Sequence, residues 1–138
     1  MDVMRLKRFK DKLGLIENRV ANISEWKEDF LSDEKSKLAC YKAFQEIVEA
    51  STDILAMALK EHKVLPKDDY LNIDLAVEKG IIDKKLSGVL IEANGLRNRV
   101  VHEYNGGLNS QTAYDSMLSL LPQFEQFILE VEEWLEKH

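Results

Sequence analysis

Apolar residues recur along this chain at alternating steps of three and four, the spacing that puts them on one side of an α-helix. From Asp2 to Phe30 the stripe is Phe9, Leu13, Ile16, Val20, Ile23 and Phe30. A second stripe, Tyr41, Phe44, Ile47, Val48, Ile54, Leu55 and Ala58, predicts a helix that starts after Ser32 or Asp33, either of which can cap it, and runs to about His62. Gln45, Glu49, Thr52 and Asp53 lie close to that apolar side. Pro66 ends this helix's territory, and DDYLNIDLAVEKG reads as a short helix capped at Asp68 or Asp69 and closed by Gly80. Asp83 then caps a helix with Leu86, Val89, Leu90, Ala93, Leu96 and Val100 facing inward. After Asn105-Gly106-Gly107, Asn109 or Ser110 starts a last helix whose core stripe is Met117, Leu121, Phe124, Ile128, Val131 and Leu135. Pro122 falls inside that pattern and predicts a kink or a split near Leu121. No strand alternation, repeat or low-complexity segment interrupts the series. The expected architecture is all-α: a four-helix up-down bundle with one additional short helix, in a single domain over residues 1–138.

Composition agrees with this pattern. With 45% hydrophobic and 32% charged residues the chain has the make-up of a globular protein, and six glycines and two prolines favour helices over many short strands. No apolar run approaches the roughly 20 residues of a membrane span, and the opening MDVMRLKRFK lacks the apolar region of a signal peptide, so a cytoplasmic protein is expected. Cys40, the lone cysteine, sits in the apolar run LACYKAF and reads as a buried or half-buried thiol. Trp26 and Trp134 read as core or interface aromatics. A net charge of −6 argues against gripping long nucleic acid through a broad basic face, while leaving room for a small basic site. His62, His102 and His138 are scattered and no Cys/His or HExxH spacing exists, so neither a metal nor another cofactor is expected.

Chemistry concentrates in GLRNRVVHEYNGG, from Gly95 to Gly107. Arg97 falls at the edge of the fourth helix's apolar stripe, where a guanidinium is partly buried and must be paired; Glu49 and Asp53, one turn apart on the second helix, are the candidate partners. Asn94, Asn98 and His102 recur every fourth residue and are expected to share a face pointing away from the core. Histidine is the side chain whose ordinary pKa lies nearest neutrality, and arginine can hold a phosphate in a bidentate fork, so together they supply two parts needed to move protons at a phosphodiester. A second copy across a two-fold axis would double both groups. Read as structure alone, Arg97 is an ion-pair partner, His102 a surface histidine at a helix C-terminus and Tyr104 an amphipathic residue closing the helix end.

Arg97-Asn98-x-x-x-His102-x-Tyr104 resembles the Arg-x(4–6)-His signature of the HEPN superfamily and, in its extended form, the HepT-like toxins encoded beside minimal nucleotidyltransferases. YKAFQEIVEASTDI is similar to that family's second-helix pattern, and VLPKDDYLNIDLAVEKGIID to its proline-containing connector. The resemblance covers most of the chain and implies an HEPN-like bundle acting as a homodimer. It implies the toxin half of a type VII toxin–antitoxin pair, a metal-independent endoribonuclease that leaves a 2′,3′-cyclic phosphate. In that reading Arg97 orients the scissile phosphate, Asn98 positions the phosphate or the histidine, and His102 acts on the ribose 2′-hydroxyl or the leaving oxygen. The implied partners are RNA and a nucleotidyltransferase antitoxin that adds AMP to Tyr104. A non-catalytic HEPN module binding a nucleotide or a protein through the same cleft is the alternative.

Overall fold

The computed structural model describes residues 1–102 and 108–138, and among these the chain is all-helical. Helix α1 spans Val3–Trp26 and passes through a 3-10 turn, Lys27–Asp29, into α2, Glu34–Glu61. A short α3, Asp69–Glu78, precedes α4, Lys84–Val101, and α5 runs over Ser110–Lys137. Each α-helix starts at an acidic or amide residue whose side chain accepts from the backbone N–H three residues on. Asp2 takes Arg5 N at 2.8 Å, Asp33 takes Ser36 N at 3.1 Å and Asp68 takes Leu71 N at 2.9 Å. Asp83 takes Leu86 N at 2.7 Å and Asn109 takes Thr112 N at 3.0 Å. Of the capping alternatives, Asp33, Asp68 and Asn109 are therefore the ones used.

The helices form a ring in which α1 packs on α2 and α5, and α4 packs on the other side of the same two helices. Helix α3 lies across α2 and α4. An ion-pair ladder with roughly heptad spacing, Arg5 with Glu61, Lys12 with Asp53 and Arg19 with Glu46, aligns α1 antiparallel to α2. Each exposed rung contributes about 1 kcal/mol or less, so the ladder sets register more than stability. The core mixes aliphatic side chains with the fully buried Phe44, Phe124 and Phe127, and further aromatic clusters close its ends. Phe30 meets Tyr41 and Tyr114 with ring centroids 5.3 and 5.1 Å apart at one end, and Phe9 meets Trp134 at 5.5 Å at the other.

Two chain reversals place α3 and α4. Gly80, at φ 74°, closes α3 with Gly80 N donating to Val77 O at 3.0 Å and Ile81 N to Ala76 O at 2.9 Å, the paired bonds of a Schellman ending. Lys63 makes the same reversal after α2 at φ 59°, a left-handed conformation that costs a residue with a Cβ about 1–2 kcal/mol. Buried Asn72 then staples the Pro66 loop by accepting from Lys67 N at 2.6 Å and donating to Lys67 O at 3.1 Å.

Several expectations need correction. Helix α5 is continuous through Pro122, with no split at Leu121. The proline is exposed, and the neighbouring Leu121 and Phe124 are anchored in the core. Val20, Val89, Ile128 and Leu135 are half-buried at the borders of the core rather than inside it. Trp26 is exposed, whereas Trp134 is a core residue. Cys40, by contrast, is buried as expected, and that burial pushes its thiol pKa up. The histidines are less scattered than their numbering implies, because Trp134 Nε1 donates to His62 Nε2 at 2.9 Å and the His62 and His138 rings lie 4.9 Å apart.

A His62 nitrogen that accepts from an indole N–H has no proton of its own. Desolvation, then the neighbouring His138 and Lys79, hold the His62 pKa below the ordinary histidine value. The unfolded chain therefore binds this proton first on acidification, and stability present above about pH 6.5 is lost below it. Thermal melts across that range are expected to show Tm falling with pH. His62→Gln, whose amide oxygen can still accept from Trp134, is expected to flatten the slope.

Candidate functional site

The GLRNRVVHEYNGG stretch begins in the last turns of α4. Arg97 lies on that helix beside the core residues Leu96 and Val100, with its side chain 18% exposed. Its Nη1 reaches Glu49 Oε2 of α2 at 3.4 Å and its Nη2 reaches Asp69 Oδ2 of α3 at 3.5 Å. Gln45, one turn before Glu49, donates to the same Glu49 Oε2 at 3.1 Å. Both ion pairs are longer than the roughly 2.7–2.9 Å of a tight charge-assisted bond, and the buried Arg97 Nε has no hydrogen-bond partner among the described residues. The guanidinium is thus neutralised and held, with donor capacity left over.

One of the two candidate acids is in place and the other is not. Glu49 faces Arg97, but Asp53 sits one turn further along α2, is exposed, and pairs with Lys12 of α1 at 3.1 Å. The second counter-charge is Asp69, which the local sequence presents only as a possible helix cap. The available signal is that two consecutive acids precede α3 while a cap needs one. With Asp68 capping, Asp69 can turn towards α4.

Asn98 and His102 are exposed, as expected, and His102 caps the C-terminus of α4 with its backbone N–H donating to Asn98 O at 3.2 Å. Asn94 departs from the expected outward face. It is 1% exposed, and its Nδ2 donates to Leu90 O at 2.8 Å while Oδ1 has no partner among the described residues. The apolar arc of α4 is wide enough to enclose it between Leu90, Ala93 and Leu96. Tyr104 lies outside the described residues. Arg97 and His102, five residues apart, project about 140° from one another around the helix axis. One copy thus offers the guanidinium from the α2/α3 side of α4 and the imidazole from the helix end.

The chain matches the family model described as Ribonuclease HepT-like over residues 9–131. It belongs to the HepT-like ribonuclease family. An Archaeoglobus fulgidus protein named "Putative RNase" is 34% identical over 137 residues, covering 97% of this chain and 98% of the relative. A protein of Aphanizomenon flos-aquae named tRNA nuclease HepT is 26% identical over 111 residues, 78% of this chain and 74% of its own length. Among solved structures, a tri-AMPylated Shewanella oneidensis HEPN toxin in complex with an MNT antitoxin superposes with a TM-score of 0.84 at 23% identity, covering 96% and 99% of the two chains. The Bacillus subtilis cytosolic protein YutE, of unknown function, superposes at 0.82 with 17% identity over 95% and 90%. These likenesses confirm the HEPN fold expected from the Arg-x(4)-His-x-Tyr motif.

Because Glu49 and Asp69 share the same guanidinium and are each partly solvated, Glu49→Gln or Asp69→Asn alone is expected to cost about 1 kcal/mol or less. The double variant leaves a mostly buried arginine uncompensated and is expected to cost more than the sum of the singles. Urea unfolding of the four proteins measures this, and Asp53→Asn serves as the control, expected within about 0.5 kcal/mol of wild type.

Proposed function

We propose that this chain is an endoribonuclease toxin whose site is composed at a homodimer cleft, with Arg97, Asn98 and His102 from each copy. The observation that carries this reading is the state of Arg97: a positive group mostly buried beside the core, loosely held by two carboxylates, next to the exposed Asn98 and His102. A phosphate can compete for the Nη donors of such a loosely paired guanidinium. Membership of a ribonuclease family supports the same reading.

The chemistry needs proton transfer and charge neutralisation. One His102 removes the proton of the ribose 2′-hydroxyl, the 2′-oxygen bonds to phosphorus, and the bond from phosphorus to the 5′-oxygen breaks. The His102 of the second copy protonates that leaving oxygen, giving a 2′,3′-cyclic phosphate and a 5′-hydroxyl end. Arg97 neutralises the added charge on the phosphoryl oxygens, and Asn98 orients phosphate or imidazole. The reaction as written employs no metal. The divergence of Arg97 and His102 around α4 favours pairing each arginine with the histidine of the other copy.

Regulation in this reading comes from a cognate minimal nucleotidyltransferase antitoxin that adds AMP to Tyr104, two residues from His102. The Shewanella toxin, solved AMPylated and with its MNT antitoxin, supports the analogy. An added phosphate would repel RNA and block the imidazole. A second reading, a non-catalytic module that binds a nucleotide or protein, draws support from the two acids that neutralise Arg97 and from the net charge of −6.

Arg97→Ala and His102→Ala are each expected to lower RNA cleavage by about 100-fold or more, the usual scale for a lost general acid–base or charge-stabilising group, with the helical fold retained. Cleavage assays with end-group analysis decide the matter. Folded variants that cut as fast as wild type would overturn the assignment, and a wild type that binds RNA or nucleotide without cutting supports the second reading. Co-expression with the cognate nucleotidyltransferase and mass spectrometry is expected to show AMP on Tyr104, abolished by Tyr104→Phe; an unmodified Tyr104 would remove the switch.

A further inference from the structure

Where the start of α1 meets the end of its antiparallel neighbour α2, an open pocket of about 290 Å³ lies outside the proposed site. Its rim carries Arg5 and Arg8 of α1, Lys60 of α2 and Lys63 just beyond that helix, and buried Phe9 and half-buried Met57 form the floor. Glu61 is the single carboxylate among the lining residues, and Arg5 Nε engages it at 2.8 Å. Four cations against one anion give the pocket a charge of +3, on a chain whose net charge is −6. Arg8, Lys60 and Lys63 are exposed and form no ion pair among the described residues.

Local structure does not account for this grouping of cations. The N-terminal end of a helix favours negative charge, yet the first turn of α1 has no acidic residue and holds Arg5, with Arg8 one turn further on. The capping Asp2 pairs with Arg5 at 3.0 Å and leaves Arg8 without a counter-charge. Lys63 stands at φ 59°, a left-handed position that glycine occupies without strain. Attraction to the C-terminal end of α2 explains Lys60, but neither a lysine in place of glycine at 63 nor Arg8 across the groove. The pocket is also placed in relation to the motif. At 100° and 1.5 Å per residue, Lys60 projects within about 20° of Glu49 around α2 and lies about 16 Å further along it. Glu49 is the residue that holds Arg97, and the intervening Asp53 is neutralised by Lys12. The pocket and Arg97 therefore fall on one side of α2, a few nucleotides apart.

We propose that this pocket is a second contact for RNA, in which Arg8, Lys60 and Lys63 take backbone phosphates a few nucleotides from the one held at Arg97. This rests on the ribonuclease reading and adds to it a place outside the motif where the length of the substrate is felt. Phosphate contacts of this kind position a strand without reading its sequence. Neither floor residue has a side-chain hydrogen-bond donor, so the charged rim selects the ligand. A chain of net charge −6 then engages a polyanion through a compact group of cations in place of a broad basic face.

Fluorescence anisotropy with a single-stranded 2′-O-methyl RNA of about 20 nucleotides, which cannot be cut through its 2′-oxygen, tests this on the full chain over a series of salt concentrations. Each phosphate contact contributes about 0.7 to the slope of log affinity against log salt, so Arg8→Gln/Lys60→Gln/Lys63→Gly should lower the slope by about 2. Lys63→Gly alone should lower it by about 0.7 while Tm holds or rises, since glycine relieves the left-handed strain. Lys27→Gln/Lys35→Gln/Lys42→Gln removes the same charge at the opposite end of the α1/α2 pair and should lower the slope by less than a single contact. An unchanged slope in the folded pocket variant, or an equal fall in the control, overturns the proposal. So does a wild-type chain that does not bind the RNA. Loss of poly-glutamate binding in the pocket variant while RNA binding holds overturns it in favour of an acidic protein partner. The active-site reading fails separately, in cleavage by Arg97→Ala and His102→Ala, because the pocket's share of binding to an uncleavable RNA requires neither group.

Discussion

A guanidinium cannot lie at the edge of an apolar core without counter-charge, and Arg97 meets that requirement by drawing on two other helices at once. Glu49 comes from α2, a helix buried over most of its circumference because it packs against α1, α3 and α4. Asp69 comes from the first turn of α3, whose start is set by the Asn72 staple on the Pro66 loop and by the Asp68 cap. The three helices around the motif thus converge on one charge. Gln45 extends the same arrangement by donating to Glu49, which fixes the carboxylate that faces the arginine.

The same constraint shapes what the site can do. Two tight, bidentate carboxylates would have saturated Arg97 and made it a purely structural group. Pairs at 3.4 and 3.5 Å hold the group in place without saturating its Nη donors, which is the property the proposed phosphate contact draws on. His102, in contrast, is an exposed residue at the C-terminal end of α4. In the proposed mechanism the positioning group and the proton-transfer group thus come from a buried edge and an exposed tip of one helix.

The bundle leaves two surfaces of different character on opposite sides. Around α4 the feature is a neutralised arginine beside exposed polar groups. Along α1 and α5 it is an open, partly apolar groove bordered by Lys10 and by Glu17, Glu132 and Glu136. The ladder of Arg5, Lys12 and Arg19 against Glu61, Asp53 and Glu46 holds α1 to α2 on one flank and leaves its other flank for the groove. Asp53 belongs to that ladder, which is why it is unavailable to Arg97.

Much of this was legible in the sequence, because helix formation and capping depend on residues within a few positions of one another. The stripes of Phe9 to Ile23 and of Tyr41 to Ala58, the cap at Asp83, the residue pairs from which the caps Asp33, Asp68 and Asn109 are drawn, and the Gly80 reversal all come from local spacing. So did the motif, and with it the family. What the sequence left open were choices between neighbours on one helix face, which depend on the rotation and register of helices distant in the chain. Glu49 and Asp53 are one turn apart and chemically alike, and only the α1–α2 ladder assigns the second to Lys12. Asn94 has the spacing of an exposed residue beside Asn98, yet the helices packed on α4 cover it. His62, Trp134 and His138 meet because α2 and α5 end together. Tertiary packing decided these points, since burial and pairing across helices are properties of the assembled bundle and no single stretch of sequence carries them.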